Sequence, residues 1–597
     1  MSGAGGGEGG RTHPRRAGCR AAGVLLALSG LAACDGGGPV STGPLTVSEV
    51  TEGFATGDTV TIQGSGLAGA AVTLDGTAVP LLDAGDARIR FLAPAGLPPC
   101  ADPFPTVTLS VSSRGGQASR TLAVRGSPRE LVLSPGQHAA RPADLPPGCP
   151  VRLGAGNYAV AVFTVVPPNP TDPQDGMRAQ RAPYTLRVTA PRAGAASTRL
   201  LARLPWPQPS PMEAHGGWPL VPPGGAATDS HGCTRPPAEQ GSVVRVRSHP
   251  YTQVAATEPV SDYRVVSTSA HFAVLMRDVE LAALSAAGRD SAGIAAAVLE
   301  EEVHSSLHRF LGPLPDTDGD GRLNVVFTAL GPNAIGVAGN PDTWADGCRG
   351  DFVWIVPAML GTMAPPFRGL QSLVIHEATH WVDFEAGGFG GKASWSIEGY
   401  AVLADRLSHE ERYGIGFWAG DDDGGTCGYG CTYVHLREDR YGVPGLADGY
   451  ANGTTILRYL VQQALPPGTD HAPAVAALRT RQGWHLRSIF EHLGGQGRTE
   501  EELQGELLLM HFADGTVPGV SPRIRHHTFD LAALWRAERS LTRFPMSSFT
   551  LSAPARLELP LSVPDGLVGE VVVLAGGATI EVRGGRPQAR LAILRVH

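Results

Sequence analysis

Two histidines and two glutamates stand at a fixed spacing near the middle of the chain. Residues 376–380 read His-Glu-Ala-Thr-His, and Glu398 follows eighteen positions after His380 in the string Trp-Ser-Ile-Glu-Gly-Tyr that ends at position 400. On an α-helix, residues four apart differ by about 40° around the axis, so His376 and His380 can each offer a ring nitrogen to one ion. Glu377 points about 100° away from His376, where it can act on a water. The spacing predicts a catalytic zinc site with the ligands His376, His380 and Glu398.

The flanking sequence supports two adjoining helices. An apolar run at 372–375 predicts a buried start for the first helix, and the glycine-rich segment 387–391 predicts a chain reversal. A second helix starting near Ser394, a suitable N-cap, then carries Glu398 toward the first. The alternative is a chance match on an amphipathic helix, because the chain has 19 histidines. Two helices joined in this way leave the fourth tetrahedral position of zinc to water.

The paired strings H-E-x-x-H and W-x-x-E-G resemble the gluzincin metallopeptidases, and within them the hyicolysin-like family. Three further stretches carry the resemblance, at residues 316–327, 450–460 and 507–514. It covers about residues 243–545. The resemblance implies a zincin-type α+β domain that binds one zinc ion and hydrolyses peptide bonds, with Glu377 as the general base.

The chain departs from the thermolysin-like pattern after the glutamate ligand. Relatives of that type carry an acidic residue four positions after the ligand, where this chain has Val402. The next acid, Asp405, lies seven residues after Glu398 and within about 20° of it around a helix. Asp405 could therefore hold a ligating histidine by its second ring nitrogen, and a solvated Asp405 is the alternative.

Peptide hydrolysis also needs a donor for the oxyanion that develops on the attacked carbonyl. The segment 450–453 resembles the Y-x-K-G segment of aminopeptidase-type gluzincins, which implies Tyr450 as that donor, although Asn452 replaces the lysine. The alternative is a tyrosine that packs on the core beside a helix. Competing donors are His409, Tyr433 and His435.

The N-terminus predicts export and a lipid anchor. Four arginines precede an apolar stretch at 21–33, which is too short to span a bilayer as a helix and ends in Leu-Ala-Ala-Cys34. This resembles a bacterial lipoprotein signal, so residues 1–33 are predicted as a signal peptide and 34–43 as a flexible tether. Lipidated Cys34 would hold the protein to a membrane of the bacterial cell envelope. The alternative is an ordinary secretory signal and a secreted protein.

Composition agrees with an exported globular enzyme. Hydrophobic residues make up 42% of the chain, charged residues 17%, and the net charge is −8. An acidic chain without basic runs gives no reason to expect nucleic acid as a partner. The predicted partner is a peptide or protein substrate, and the oligomeric state is left open.

Six cysteines remain once Cys19 leaves with the signal peptide and Cys34 is lipidated. An even number in an exported chain predicts disulfides. Cys427 and Cys431 could close a small loop, and the other four allow three pairings. A second metal site at Cys427 and Cys431 is the rival interpretation.

Alternating apolar residues predict β-rich regions on both sides of the peptidase domain. Residues 44–126 contain short strands between turns and resemble the TIG-type immunoglobulin-like domain. A second β-domain is predicted at 127–190, a Pro/Gly-rich linker at 191–242, and a small C-terminal β-domain at 546–597. The predicted fold is multidomain: β-sandwich modules, an α+β zincin-type domain with the zinc site on two helices, and the C-terminal β-domain.

An acidic segment ahead of the zinc helix resembles half of a calcium loop. Asp316, Asp318 and Asp320 alternate before Gly321, but position 327, where an EF-hand needs glutamate, is phenylalanine. Calcium would need further ligands from elsewhere. The alternative is an Asx-rich turn into a strand at 323–327.

The predicted function is zinc-assisted hydrolysis of a peptide bond, with Glu377 taking the proton of the attacking water and returning it to the leaving amine. The alternative is a surface-anchored binding or adhesion lipoprotein whose peptidase domain is vestigial. Intact residues at all three ligand positions and at the base favour the enzyme.

Overall fold

The computed structural model describes residues 43–596 with gaps, and we call these residues the described part of the chain. The gaps are 142, 165–183, 190–198, 201–202, 206–238, 250–251, 254–259, 318, 332–333, 339–349, 364–368, 388–391, 393, 414–445, 484, 514–516, 528–548, 551–554, 559–568 and 585–588. In a few helices and strands only the backbone is described. Cys34, Cys427 and Cys431 lie outside the described part, so the lipid anchor and the small disulfide loop stay predictions.

The first eight strands form a β-sandwich. They are β1 (Thr46–Val50), β2 (Thr59–Ser65), β3 (Ala71–Leu74), β4 (Thr77–Ala78), β5 (Leu81–Ala84), β6 (Arg88–Leu92), β7 (Thr106–Ser113) and β8 (Gly116–Ala123). One sheet has the order β1-β2-β6-β5 and the other β4-β3-β7-β8. Every second side chain of β7 is buried, as period-two alternation predicts, and both sheets contribute to one apolar core. The short strands expected within residues 44–126 are confirmed.

Seven strands follow before the helical region. They are β9 (Arg129–Leu131), β10 (His138–Ala139), β11 (Val151–Leu153), β12 (Asn157–Thr164), β13 (Tyr184–Thr189), β14 (Arg199–Leu200) and β15 (Arg203–Pro205). Strands β14 and β15 fall within the segment that the sequence assigned to a linker. The linker assignment is therefore wrong for residues 199–200 and 203–205, and most of the remaining segment lies outside the described part.

The middle of the chain combines a six-stranded sheet with helices. Its strands are β16 (Val243–Arg247), β17 (Val260–Thr268), β18 (Phe272–Met276), β19 (Leu323–Phe327), β20 (Gly336–Ala338) and β21 (Phe352–Ile355). Its helices are α1 (Asp278–Ala283), α2 (Ala286–Glu302), α3 (His304–Leu311), α4 (Gly369–Glu385), α5 (Ser394–Tyr413), α6 (Leu446–Ala464), α7 (Ala472–Ala477), α8 (Leu486–His492) and α9 (Glu500–Ala513). The sheet has the order β16-β17-β18-β19-β21-β20, so β20 is an edge strand of the described sheet. It pairs antiparallel with β21, whereas β18, β19 and β21 run parallel.

The last five strands do not form a domain of their own. They are β22 (Phe549–Thr550), β23 (Ala555–Glu558), β24 (Gly569–Ala575), β25 (Thr579–Gly584) and β26 (Ala589–Arg595). With the preceding strands they build two five-stranded sheets, β10-β26-β12-β24-β15 and β23-β13-β25-β11-β9. The expectation of separate β-domains at 127–190 and 546–597 is wrong, because strands from both ends of the chain pair into one sandwich.

Strand β12 joins this second sandwich to the helical domain. Tyr158, Val160 and Val162 lie in the core between its two sheets, whereas Ala159 and Phe163 pack in the core of the helical domain. Both faces of the strand are therefore buried, which explains its nearly continuous apolar sequence. On α9, a Cβ added to Gly505 would lie 2.7 Å from Cβ of Ala592 on β26, so helix and sheet are in close contact.

A disulfide connects the two sandwiches. Cys100 and Cys149 are bonded, with their Cα atoms 5.6 Å apart, which is one of the pairings that the sequence left open. Arg125 forms an ion pair with Glu581 near the same junction. Cys233 and Cys348 lie outside the described part. Each helix in the described part is either too short or too polar to span a bilayer.

Candidate metal centre and catalytic site

Helix α4 is the central helix of the domain. Nearly every side chain from Leu370 to Asp383 is buried, so the helix has no solvent-exposed face in this stretch. A helix that is buried all round needs an apolar sequence interrupted only where polar groups have partners or a function. His376, Glu377 and His380 are such interruptions. The apolar start and the second helix from Ser394 are both confirmed.

Helices α4 and α5 pack together and bring three side chains to one point. Nε2 of His376 lies 3.1 Å from Nε2 of His380, and the two rings meet edge to face. Oε2 of Glu398 lies 3.5 Å from Nε2 of His376 and 3.3 Å from Nε2 of His380. The three predicted ligand atoms therefore form a nearly equilateral triangle.

This triangle fits a tetrahedral zinc ion. Zinc bonds to nitrogen and oxygen of about 2.0–2.1 Å place neighbouring ligand atoms about 3.3–3.4 Å apart. The observed separations of 3.1, 3.3 and 3.5 Å lie on both sides of that value. Two imidazoles and one carboxylate are also a common donor set for catalytic zinc. The residues present fit the metal that the sequence predicts.

The two histidines of the triangle favour the ionised form of the Glu398 carboxyl group. Burial acts to raise the pKa of Glu398, but His380 and His376 outweigh it and lower the pKa below its usual range. Burial likewise acts to lower the pKa of His380, and Glu398 raises it to about 9. An ionised glutamate that faces two imidazoles is an arrangement that suits a divalent cation. The cation would take the place of the proton that the imidazoles share with the carboxylate.

Glu377 lies beside the triangle and against the sheet edge. Its side chain is buried, and burial raises the pKa of its carboxyl group. Strand β20 passes close by: a Cβ added to Gly336 would lie 2.6 Å from Oε1 of Glu377 and 2.9 Å from Cδ1 of Leu373. Position 336 therefore accepts only glycine without displacing the carboxylate. Gly336 could not be predicted from the sequence, because no local pattern shows which strand lies over the helix.

Asp405 is buried on α5 and not solvated. Its Oδ2 accepts a hydrogen bond of 2.7 Å from Oγ of Ser372 on α4, and its Oδ1 lies 3.0 Å from Nδ1 of His409. Burial opposes protonation of His409, but the contact with Asp405 raises the pKa of that histidine. The solvated alternative is wrong, because Asp405 is 1% exposed. A contact of Asp405 with a zinc-ligating histidine stays a prediction.

The candidate oxyanion donors are only partly described. Tyr450 lies on α6, but its side chain is outside the described part, as are Tyr433 and His435. His409 is buried beside Asp405, where this pairing occupies its Nδ1. The role of Tyr450 stays a prediction.

The acidic segment ahead of β19 forms turns. Oδ1 of Asp316 accepts hydrogen bonds from the backbone N–H groups of Gly319 and Gly321, and Oδ1 of Asp320 accepts one from Arg322. These are Asx-type contacts, which is the alternative that the sequence left open. Asp318 lies outside the described part. The structure gives the calcium hypothesis no support.

A buried ionic cluster connects helices α4 and α5, and no local pattern in the sequence predicts it. Lys392, the only lysine in the chain, donates from Nζ to Oδ1 and the carbonyl of Asp383 and to the carbonyl of Arg479. Arg481 binds the same carboxylate. Asp383 follows His380 by three positions on α4. Because Lys392 is buried within this cluster, its role is structural.

No protein-family model matches the chain, and no curated protein matches it. Among solved structures, the chain is similar to an M1 zinc metallopeptidase from Deinococcus radiodurans, at 13% identity over 85% of this chain and 97% of that one, with a TM-score of 0.23. It is also similar to the SGBP-B protein of a mixed-linkage glucan utilization locus of Bacteroides ovatus, at 14% identity and a TM-score of 0.11. That match covers 23% of this chain and 36% of the other. Scores at this level leave the assignment to the geometry of the site.

Proposed function

We propose that this protein is a zinc-dependent metallopeptidase of the gluzincin type that hydrolyses peptide bonds. The observation that carries the proposal is the triangle of His376, His380 and Glu398, with ligand-atom separations of 3.1–3.5 Å and the Glu377 carboxylate beside it. The resemblance to the hyicolysin-like family supports it from the sequence.

His376, His380 and Glu398 would hold the zinc ion. When bound, zinc supplies Lewis-acid chemistry, which acidifies a water and polarises the scissile carbonyl. Glu398 contributes the charge of an ionised carboxylate, which the two histidines favour in the structure.

Glu377 acts as the general base and then as the general acid. Burial raises the pKa of its carboxyl group, which makes it a better proton acceptor than an exposed glutamate. It takes a proton from the attacking water and gives that proton to the leaving amine. Strand β20 fixes the carboxylate by passing close to it at Gly336. Tyr450 is our candidate donor to the oxyanion.

The deciding experiment compares wild type with Glu377→Gln for zinc content and hydrolysis of a peptide library. The substitution keeps the size of the side chain and the three ligands but deletes the proton acceptor, so we expect the same zinc content as wild type and at least about a hundredfold slower hydrolysis. Glu411→Gln, an exposed glutamate on α5, is the matched control and should retain full activity. If Glu377→Gln fails to bind zinc, Glu377 is a metal ligand or has a structural role, and the proposed role as general base is wrong.

A second outcome would favour the alternative function. If wild type and Glu377→Gln are equally inert across the library while wild type binds zinc, the protein is better explained as a binding or adhesion lipoprotein with a vestigial peptidase domain. The two β-sandwiches would then carry the function.

We further propose that the protein is anchored in the bacterial cell envelope through lipidated Cys34. The support is the arginine-rich, apolar leader that ends at Leu-Ala-Ala-Cys34. Cys34→Ala should move the protein from the detergent phase to the aqueous phase and remove the lipid mass, because a lipid chain is the only anchor that the leader predicts. An unmodified Cys34 in native protein would favour a secreted form.

A further inference from the structure

A second group of metal-ligand side chains lies outside the zinc site. In the described part, two groups of histidine, cysteine or acidic residues bring their ligand atoms within 4.8 Å of one another: the triangle above, and His271 with Glu300 and His304. We propose that His271, Glu300 and His304 form a binding site for a second divalent metal ion of the zinc, cobalt or nickel class. Imidazole and carboxylate donors favour these ions over calcium or magnesium.

Two separate elements build this site. His271 lies in the turn between β17 and β18, while Glu300 is in the last turn of α2 and His304 begins α3. Four residues separate Glu300 from His304, so both side chains lie on one face of the nearly continuous helix pair. All three side chains are half-buried, which shields them in part from water but leaves a path for an ion.

The distances are close to those of a metal site. Oε1 of Glu300 lies 2.7 Å from Nδ1 of His271 and 3.9 Å from Nδ1 of His304. Ligand atoms around tetrahedral zinc stand about 3.3 Å apart, which lies between these two values. The rings of His271 and His304 are stacked, with centroids 3.6 Å apart and an interplanar angle of 9°. Binding therefore requires the rings to turn, so this site should be weaker than the catalytic one.

An ion here would fasten the β17–β18 turn to the α2–α3 helix pair. In its absence, Glu300 already accepts hydrogen bonds from the backbone N–H and the ring of His271, at 2.9 and 2.7 Å. These hydrogen bonds already hold the β17–β18 turn against α2. The function of the ion would be structural and separate from peptide hydrolysis.

The test uses untagged, full-length mature protein and measures bound zinc by equilibrium dialysis with elemental analysis. We expect two zinc ions per chain in wild type and one in His376→Ala/His380→Ala, which lacks the catalytic ligands. Adding Glu300→Gln and His304→Ala to that variant should weaken the remaining binding by at least about tenfold. His492→Ala, which removes an exposed histidine on α8, is the matched control and should leave it unchanged.

Titration of wild type with Co²⁺ gives an independent measurement. His304→Ala in an otherwise unchanged chain should lower the cobalt stoichiometry from two to one and remove one set of visible absorption bands, even if the catalytic double variant fails to fold. Two ions that persist in the Glu300→Gln/His304→Ala protein, or a single wild-type ion that this variant retains, would overturn the second site. Loss of peptidase activity plays no part in this readout, so failure of the proposed function and failure of this site are distinguished.

Discussion

Arg481 and Asp383 form a fully buried bidentate ion pair, with Nη1 to Oδ1 at 2.8 Å and Nη2 to Oδ2 at 3.1 Å. Arg481 also donates to the carbonyl of Leu478, and to the carbonyl and Oγ of Ser396. Ser396 stands two positions before Glu398 on α5, and Asp383 three positions after His380 on α4. One guanidinium therefore connects the two helices that supply the zinc ligands.

Asp383→Asn should strongly destabilise the protein. The substitution keeps the shape of the side chain but leaves the buried cations of Lys392 and Arg481 without their shared carboxylate. Breaking a buried pair from one side costs about 3–5 kcal/mol, which denaturant unfolding would measure. We also expect lower zinc affinity, because the substitution weakens the Asp383–Arg481 contact that connects α4 to α5.

Arg487→Met is the control for this prediction. Arg487 pairs with Glu491 on the exposed surface of α8, where solvent screens the pair. The Arg487→Met protein should unfold at the same denaturant concentration as wild type. If Asp383→Asn behaved in the same way as this control, the buried cluster would have no role in holding the helices.

Gly336→Ala tests the contact between β20 and the catalytic glutamate. The added methyl group would lie 2.6 Å from Oε1 of Glu377, so the carboxylate must move. A displacement of about 1 Å in an active site can cost about a hundredfold in rate, and we expect kcat/KM for peptides to fall by about 10- to 100-fold with zinc content unchanged. Gly361→Ala, where an added Cβ meets nothing within 4 Å, should keep wild-type activity. Equal activity of both variants would show that β20 does not position Glu377.

Gly399→Ala tests how closely α5 and α6 pack beside the ligand Glu398. An added Cβ would lie 2.4 Å from the carbonyl carbon of Gly453 on α6, which is backbone and cannot move aside alone. We expect a loss of about 1–3 kcal/mol in the free energy of unfolding, typical of overpacking, together with weaker zinc binding. The matched control is Gly293→Ala on α2, which has open space and should gain up to about 1 kcal/mol from helix propensity. A stabilised Gly399→Ala protein would contradict the close packing.

His249 should make the stability of the helical domain depend on pH. Its side chain is buried beside Trp354, and burial lowers its pKa from 6.5 to about 3. Between these pH values the unfolded chain binds a proton at this histidine and the folded chain does not, so stability is complete above pH 6.5 and falls as the pH falls toward 3. The loss is about 1.4 kcal/mol for each pH unit.

The measurement compares wild type with His249→Phe, which keeps a ring against Trp354 but cannot titrate. Urea unfolding of the helical domain at several values between pH 4 and pH 7 gives the slope for each protein. The free energy of unfolding of His249→Phe should depend less steeply on pH than that of wild type, by the equivalent of about one bound proton. Parallel slopes would mean that His249 is protonated without unfolding.

The sequence alone predicted which three side chains converge in the triangle, because each of its parts depends on local geometry. His376 and His380 share a helix face through the helical period, and the glycine-rich break followed by Ser394 gives the second helix its start. Many strands were also predictable, since alternation is a property of neighbouring residues, as in β7. The triangle and Glu377 thus lie within the 23 consecutive residues 376–398.

Only the tertiary structure decided which distant segments meet. Asp383 and Arg481 are 98 positions apart in the chain, and neither has a local pattern that names the other. The same holds for Gly336 over Glu377, and for β12 between β24 and β26, which merged two expected β-domains into one sandwich. Periodicity predicts which face of its own helix or strand a residue occupies. The residue that it meets across that face depends on how whole helices and sheets pack, and that packing is a property of the entire chain.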